Sequence, residues 1–182
     1  MKKLHLGCWH RDFPGFINVD LCDMPHIHYK SNINELPFIA DSEIDLIYCS
    51  HAFEYFDLLE AKNALAEWKR VLKTDGLLRL ALPDFEALVK VYSKSNDINT
   101  ILGPLYGRME INNGSITLFH KICYDFNSLK LLLNENGFKN IKRYDWRKTD
   151  HAQFDDHSQA YFPHMDKENG ILISLNIECQ KE

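Results

Sequence analysis

A strand–helix–strand pattern in the first half of the chain constrains the fold more than any other feature. It starts with the run IDLIYCS (Ile44–Ser50), which is apolar at nearly every position, as in a strand covered on both faces. An amphipathic helix is predicted next, with Asp57 and Glu60 in a capping box and Gly76 as its stop. A second apolar run, Leu77–Leu82, completes the unit. This order predicts two parallel strands joined by a helical crossover.

The same alternation continues on both sides of this unit. Asp84 is predicted to cap one later helix and Asn127 or Ser128 another, and residues 95–120 are predicted to be irregular. The other predicted strands are Leu4–Cys8, Ile17–Leu21, His26–Lys30, Lys139–Asp145 and Ile171–Cys179. An α/β fold with a mostly parallel sheet and helices on both faces follows. The last two strands should be antiparallel, because no helix pattern separates them.

The first connection between strands is unusually short. Only WHRDFPGF lies between the first two predicted strands, whereas a parallel crossover usually needs about a dozen residues and a helix. We therefore expect an abbreviated first crossover helix. Leaving an apolar sheet face bare is unfavourable by about 25 cal/mol per Å². Another segment of the chain, or a second subunit of a homodimer, is expected to cover that face.

Length and charge limit the function classes. A chain of 182 residues suits a single domain over 1–182. Its net charge is −5 and it has no basic run, so neither nucleic acid nor an anionic membrane is an expected partner. The five cysteines are widely spaced without a C-x-x-C pair, which indicates reduced, buried thiols. Neither a signal-peptide pattern nor a membrane-spanning run is found, so a cytoplasmic protein is expected.

Polar residues and a glycine end several of the predicted parallel strands. Ligands of open α/β sheets bind beyond these carboxyl ends. Gly7 would let the backbone approach a ligand closely, and Asp20 could accept two hydrogen bonds from a ribose diol. Asn32 can both donate to and accept from an adenine edge, and Ser50 and His51 end the next strand. In this order they predict a cofactor site.

Longer motifs carry a resemblance to a known family. The segments LHLGCW…GFINVD, NINELPF…SEIDLIYCSHAFEYF and EWKRVLKTDGLLRLALPD resemble class I S-adenosylmethionine-dependent methyltransferases. HKICYDFNSLKLLLNENGF and DDHSQAYFPHMDKENGILISLNIECQK extend the resemblance over nearly the whole chain. The nearest subgroup is that of small bacterial enzymes associated with surface-polysaccharide or glycan biosynthesis. The resemblance implies a Rossmann-like sheet of seven strands with the last one antiparallel, S-adenosylmethionine as cofactor, and a small-molecule or sugar hydroxyl or amine as methyl acceptor.

The resemblance also implies roles for single residues. Gly7 and Cys8 would contact the methionine part of the cofactor, and Asp20 would bind the ribose. Leu21, Asn32 and Ile33 would border the adenine. Ser50, His51 and Glu54 would border the methyl-transfer site. The implied cofactor residues are thus Gly7, Cys8, Trp9, Asp20, Leu21, Asn32, Ile33, Ser50 and His51.

Three positions depart from the family pattern. Trp9 stands where the G-x-G motif has its second glycine, Asn32 where aspartate is common, and Tyr55 where a histidine follows the glutamate. Trp9 leaves two alternatives. Its indole fills the cofactor cleft, and the chain is a degenerate methyltransferase-like binding module. Otherwise the loop bends, Trp9 points away and packs under it, and the chain is an enzyme, which is the alternative we favour.

A nicotinamide-dependent oxidoreductase is a third alternative for a fold of this kind. It would need the motif G-x-G-x-x-G at the opening of a helix. The chain has Gly7-Cys8-Trp9-His10 at that place, which does not supply it.

Three residues are candidates for catalysis: His51, His120 and Glu54. A hydroxyl acceptor must lose a proton, and histidine is suited to take it near neutral pH. Each candidate has a structural alternative, a loop hydrogen bond for the histidines and a turn position for Glu54. His26 and His28 are expected to be solvated or hydrogen-bonded, because a zinc site needs further ligands.

The segment 146–169 is too long for a plain turn between the last two strands. It holds a polar cluster whose alternatives are metal binding and substrate contact. The resemblance favours substrate contact, so this loop is expected to line or cover the acceptor pocket. The cluster consists of His151, Asp155, Asp156, His157 and His164.

Overall fold

A computed structural model describes residues 1–182. The elements in chain order are β1 (Lys3–Leu6), β2 (Phe16–Asp20), β3 (Tyr29–Lys30), β4 (Ile44–Ser50), α1 (Leu58–Val71), β5 (Leu72–Pro83), α2 (Phe85–Ser95), α3 (Asn99–Tyr106), β6 (Arg108–Ile111), β7 (Ile116–Phe119), α4 (Phe126–Glu135), β8 (Phe138–Arg143), β9 (Tyr161–Phe162), β10 (Ile171–Leu172) and β11 (Ser174–Lys181). Single 3₁₀ turns lie at Phe53–Tyr55, Trp146–Lys148 and His157–Gln159.

A seven-stranded sheet forms the centre of the molecule, in the order β3-β2-β1-β4-β5-β11-β8. Strands β1 to β5 pair in parallel, and β11 is antiparallel to both of its neighbours. The mostly parallel sheet with an antiparallel last strand is therefore confirmed. Because β1, β2 and β4 run in one direction, their carboxyl ends meet at one edge of the sheet.

Helix α1 begins as the sequence predicts and ends earlier. The Asp57 carboxylate accepts from the amides of Leu59 and Glu60, and the Glu60 side chain accepts from the Asp57 amide. The helix ends at Val71, and β5 follows without a turn. Gly76, predicted as the helix stop, lies inside β5, where a Cβ atom would come within 2.8 Å of a backbone oxygen. Glycine at this position allows backbone atoms to lie close together within the sheet, and it does not cap the helix.

Residues of the same chain cover the sheet face that the short first crossover leaves open. The crossover loop contributes Phe13, whose ring stacks on His5 at a centroid distance of 4.5 Å. From the segment after β8, Phe154 and His151 also stack on Phe13, at 5.2 and 5.3 Å. The expectation that another segment covers this face is confirmed, and it needs no second subunit.

Several elements differ from the sequence prediction. Residues 95–120 are not irregular, because they form α3 and a hairpin of β6 and β7. Asp125 caps α4, while Ser128 occupies the third helical position and completes the capping box. All five cysteines are free thiols, and four of them are buried. None of the helices combines the length and the apolar character needed to cross a bilayer.

Candidate active site

A cavity of about 820 Å³ opens at the carboxyl ends of the parallel strands. Its wall includes all but one of the cofactor residues that the sequence analysis named. Those in the wall are Gly7, Trp9, Asp20, Leu21, Asn32, Ile33, Ser50 and His51. The exception is Cys8, which is only 1 % exposed because its side chain packs into the interior. Its thiol is therefore not part of the wall, and burial raises its pKa.

Gly7 is the position at which the cavity wall requires glycine. Its φ is +67°, a left-handed conformation that side chains disfavour. A Cβ atom there would lie 2.4 Å from Ala52 Cβ, far inside contact distance. The backbone after β1 can thus approach the loop after β4 only because this residue has no side chain.

Trp9 is half-buried and forms part of the cavity wall. It also has a left-handed backbone, with φ of +47°. Its amide donates to Asp20 Oδ2 at 2.8 Å, and its carbonyl accepts from His26 Nε2 at 2.7 Å. The favoured alternative expected Trp9 to point away from the cavity and to pack under the loop. Trp9 is instead only half-buried and belongs to the cavity wall. The cavity nevertheless stays open beside it.

His26 and His28 both take part in hydrogen bonds with the backbone. His26 pairs with the Trp9 carbonyl, and His28 Nδ1 accepts from the Asn18 amide at 3.0 Å. The expectation of hydrogen-bonded histidines is confirmed.

Asp20 is held in one orientation by the loops on either side of it. Its Oδ2 accepts from the Trp9 amide and its Oδ1 accepts from the Cys22 amide, each at 2.8 Å. The carboxylate is only 8 % exposed, yet it lines the cavity. Each carboxylate oxygen can accept more than one hydrogen bond, so Asp20 keeps acceptor capacity for a ligand.

Two polar atoms of the wall have no hydrogen-bond partner. They are Ser50 Oγ and Asn34 Oδ1, both buried. A buried polar atom without a partner costs about 1–3 kcal/mol. Together with the glycine at position 7, they fit a bound polar molecule with donors and acceptors of its own.

The three catalytic candidates lie together just beyond the carboxyl end of β4. His51 Nδ1 is 3.4 Å and His120 Nε2 is 3.8 Å from Glu54 Oε1. The two histidines line the cavity, while Glu54 is 0 % exposed and lies behind them. Burial lowers the pKa of His51 well below its usual value, lowers the pKa of His120, and raises the pKa of Glu54 to about 8. At neutral pH both imidazoles are uncharged and can accept protons.

The position of His120 depends on a glycine that the sequence analysis did not single out. A Cβ atom on Gly107 would lie 2.5 Å from His120 Cε1. The imidazole thus packs directly against the backbone that joins α3 to β6. On its other side, the Tyr55 ring meets it edge-on at 4.8 Å.

The segment 146–169 contributes most of its polar cluster to the cavity. Asp155, Asp156, His157 and His164 line it, whereas His151 is buried on the opposite face against Phe13. His151 is therefore separate from the cluster in which the sequence analysis placed it. The Arg11 guanidinium donates from Nε to the Asp155 carbonyl at 3.0 Å, which ties this segment to the first crossover loop.

The β6–β7 hairpin forms a wall that sequence reasoning missed. Met109, Ile111 and Leu118 line the cavity. At its tip, the Asn112 side chain donates to the Leu21 carbonyl at 3.0 Å and accepts from the Asp23 amide at 3.2 Å. The hairpin thus reaches the loop after β2. The dipeptide Asn113-Gly114 between two short runs is the signal that would have predicted it.

Comparisons with known proteins agree with this geometry. A family model described as a methyltransferase domain matches residues 18–80. The S-adenosylmethionine-dependent methyltransferase from Archaeoglobus fulgidus has the same fold, with a TM-score of 0.57 and 16 % identity over 99 % of this chain and 86 % of that chain. A methyltransferase from Thermotoga maritima aligns at a TM-score of 0.60 and 16 % identity, over 100 % of this chain and 82 % of that chain. Residues 18–80 thus match a methyltransferase family, and the chain as a whole has the fold of S-adenosylmethionine-dependent methyltransferases.

The family match supports methyl transfer as the activity, and S-adenosylmethionine is the cofactor on which these solved enzymes depend. A further relative in fold is the 1,6-didemethyltoxoflavin-N1-methyltransferase of Burkholderia thailandensis, which was solved with bound 1,6-didemethyltoxoflavin and S-adenosylhomocysteine. It aligns with this chain at a TM-score of 0.54 and 12 % identity, over 98 % of this chain and 70 % of that chain. Among curated proteins, no sequence matches this chain.

Proposed function

We propose that this chain is an S-adenosylmethionine-dependent methyltransferase and that it transfers the methyl group to a hydroxyl or amine of a small molecule or saccharide. The observation that carries the proposal is the pair of uncharged imidazoles, His51 and His120, in the wall of the cavity at the end of β4. An acceptor hydroxyl loses a proton as it is methylated, and a neutral imidazole can take that proton. A carboxylate acceptor would need no such base.

The cofactor is proposed to lie along the carboxyl ends of β1, β2 and β4. Gly7 and the backbone of Trp9 would hold its methionine part, and Asp20 its ribose. Leu21, Asn32 and Ile33 would border the adenine. When bound, S-adenosylmethionine supplies a methyl group that its sulfonium already activates. The chain's own task is then to align the acceptor, exclude water and hold the leaving proton.

The acceptor is proposed to lie between the two histidines and the segment 146–169. This end of the cavity is polar, with Asp155, His157 and Gln159 in its wall. Such side chains supply both donors and acceptors to a ligand with several hydroxyl or amine groups. Arg11, whose Nε is fixed to the Asp155 carbonyl, borders the same space.

The test is methyl transfer from labelled S-adenosylmethionine to a panel of monosaccharides, amino sugars, alcohols and amines. With an accepted hydroxyl compound, His120→Gln should lower kcat about 10²–10⁴-fold, the usual contribution of a general base. His28→Gln, outside the cavity, is the matched control and should keep wild-type kcat. Methylation confined to carboxylate compounds, or an equal loss in both variants, would contradict the proposal.

A further inference from the structure

The Glu54 carboxyl has surroundings that an ionised carboxylate would not tolerate. The side chain is fully buried, and neither oxygen has a hydrogen-bond partner. No lysine or arginine forms an ion pair with it. The basic side-chain nitrogens within 4 Å of Oε1 are His51 Nδ1 at 3.4 Å and His120 Nε2 at 3.8 Å. Whether those two nitrogens carry hydrogen decides what Glu54 can do.

The tautomer of His120 follows from its other nitrogen. His120 Nδ1 lies 2.8 Å from the Pro104 carbonyl oxygen. A carbonyl oxygen can only accept, so Nδ1 carries the hydrogen. In the neutral ring Nε2 is then bare, and at 3.8 Å from Glu54 Oε1 it is near that carboxyl without being hydrogen-bonded to it.

The tautomer of His51 follows from a chain of three hydrogen bonds. The Asn176 amide nitrogen donates to the Ser158 carbonyl at 2.8 Å, which places its oxygen towards Ser174. The Ser174 hydroxyl donates to that oxygen at 3.0 Å and therefore accepts from His51 Nε2, 3.1 Å away. His51 Nε2 thus carries the hydrogen, and Nδ1, which is nearest to Glu54, is bare.

Two bare nitrogens therefore face one buried carboxyl. With Glu54 ionised and both rings neutral, three electron-rich groups would meet without a donor among them. We propose that Glu54 is a positioning residue that joins His51 and His120 into one unit, and that this unit holds a single shared proton at neutral pH. The proton resides on the Glu54 carboxyl, whose nearer imidazole nitrogen, His51 Nδ1, lies 3.4 Å away.

The electrostatics of the surroundings agree with this assignment. Burial raises the pKa of Glu54 to about 8 and lowers those of both histidines. The other titratable groups facing Glu54 are Tyr55, Tyr124, Cys49 and Cys123, whose pKa values are raised by burial and by the Glu54 charge. All four are neutral near pH 7. His157 faces His51 from the segment 146–169, and Arg11 also acts on His51 from the first crossover loop.

The consequence for catalysis rests on the proposed function, whereas the shared proton does not. While Glu54 holds the proton, its carboxyl is neutral. A positively charged His120 would then have no negative group beside it. After the unit loses it, Glu54 is a carboxylate. His120 Nε2 can then take the acceptor's proton as the acceptor O–H bond breaks and the methyl group exchanges its bond to the donor's sulfonium sulfur for a bond to the acceptor oxygen, because the new cation on His120 lies beside that carboxylate. Activity on a hydroxyl acceptor should therefore rise with the loss of this one proton.

The first test needs no acceptor and uses the whole chain. NMR of ¹⁵N-histidine protein at pH 7, assigned with His51→Gln and His120→Gln, should show both rings neutral, His51 protonated at Nε2 and His120 at Nδ1. Infrared spectroscopy should show a carboxylic-acid band that is lost on raising the pH through about 8, absent in Glu54→Gln and retained in the exposed-site control Glu86→Gln. An imidazolium at either histidine at pH 7, or a Glu54 that titrates in the ordinary range of glutamate, would overturn the proposal.

The second test is the pH dependence of kcat/KM with an accepted hydroxyl compound. The rising limb of the wild type should follow the loss of the acid band, with an inflection near 8. In Glu54→Gln that inflection should disappear, while Glu86→Gln keeps it. If no hydroxyl compound is methylated, the proposed function fails and the spectroscopic result still decides the shared proton. Retention of the same inflection in Glu54→Gln would overturn the link between Glu54 and the base.

Discussion

The Trp9 backbone amide donates a hydrogen bond to the Asp20 carboxylate, 2.8 Å away, and so ties the loop after β1 to the end of β2. Trp9 adopts the left-handed backbone that a glycine adopts without cost, with φ of +47°. Trp9 thus has a backbone conformation that glycine would adopt more readily, at the position where the G-x-G motif has its second glycine. What the substitution adds is an indole in the cavity wall.

Asp20 should be required for cofactor binding. Asp20→Ala would remove the proposed hydrogen bonds to the ribose, each worth about 1.5–3 kcal/mol when the acceptor is charged. It would also release the amides of Trp9 and Cys22. Calorimetry with S-adenosylhomocysteine should show at least a tenfold weaker affinity. An affinity equal to that of the wild type would show that Asp20 does not bind the cofactor.

Gly7 should tolerate alanine far less well than Gly15 does. Both have a positive φ, +67° and +82°, so each alanine variant pays for the strained backbone. Only at position 7 does the added Cβ meet another atom, Ala52 Cβ at 2.4 Å; nothing lies within 4 Å at position 15. Urea unfolding should show Gly7→Ala to be the less stable of the two by about 1–3 kcal/mol. Equal losses would mean that the close approach is not a constraint.

The sequence predicted those parts of the fold that local signals determine. The capping box of α1 and the apolar run of β4 need only neighbouring residues to be recognised, and both were placed correctly at their starts. The end of α1 differs from the prediction, because Gly76 has the pattern of a helix stop but lies inside β5, where an added Cβ would meet the Lys73 carbonyl of the same strand at 2.8 Å and the Ile44 carbonyl of β4 at 3.2 Å. The contact with β4 depends on a strand pairing that no local pattern contains.

The cavity wall was predicted where residues follow strand ends and missed where distant segments meet. Asp20 and Ser50 follow from the rule for open sheets, whereas Gly107 acquires its role only because His120 packs against it. His151 was grouped with His157 on sequence proximity alone. In the structure the His151 ring stacks on Phe13 and helps to cover the sheet face, whereas His157 borders the cavity.

Phe13 should be a principal stabilising residue of the face without a crossover helix. It is 2 % exposed and stacks on His5, His151 and Phe154. Phe13→Ala should lower the free energy of unfolding by about 3–5 kcal/mol, as for other buried aromatics. The matched control is Phe85→Ala on α2, where the ring is 45 % exposed and the expected change is within about 1 kcal/mol. Similar losses in the two variants would show that the crossover loop adds little to stability.

Glu54 should make the stability of the protein fall as the pH rises. Its pKa is raised to about 8 in the folded state, so the folded chain holds a proton that the unfolded chain releases above its ordinary pKa of 4.5. Its contribution therefore declines between about pH 4.5 and pH 8, by up to a few kcal/mol. The two histidines, with lowered pKa values, act in the opposite direction in both wild type and variant. The free energy of unfolding, measured with urea, should therefore change in favour of Glu54→Gln over the wild type as the pH is raised from 5 to 8. A difference between the two proteins that is the same at both pH values would contradict this.

The central claim is that the cavity binds S-adenosylmethionine with Trp9 in its wall. The most direct measurement is calorimetric titration of S-adenosylmethionine into the wild type and into Trp9→Gly. The cavity is open beside the indole, and the Trp9 amide that orients Asp20 is present in both proteins. We therefore predict measurable and comparable affinities. Binding to Trp9→Gly alone would show that the indole blocks the site and would contradict the account.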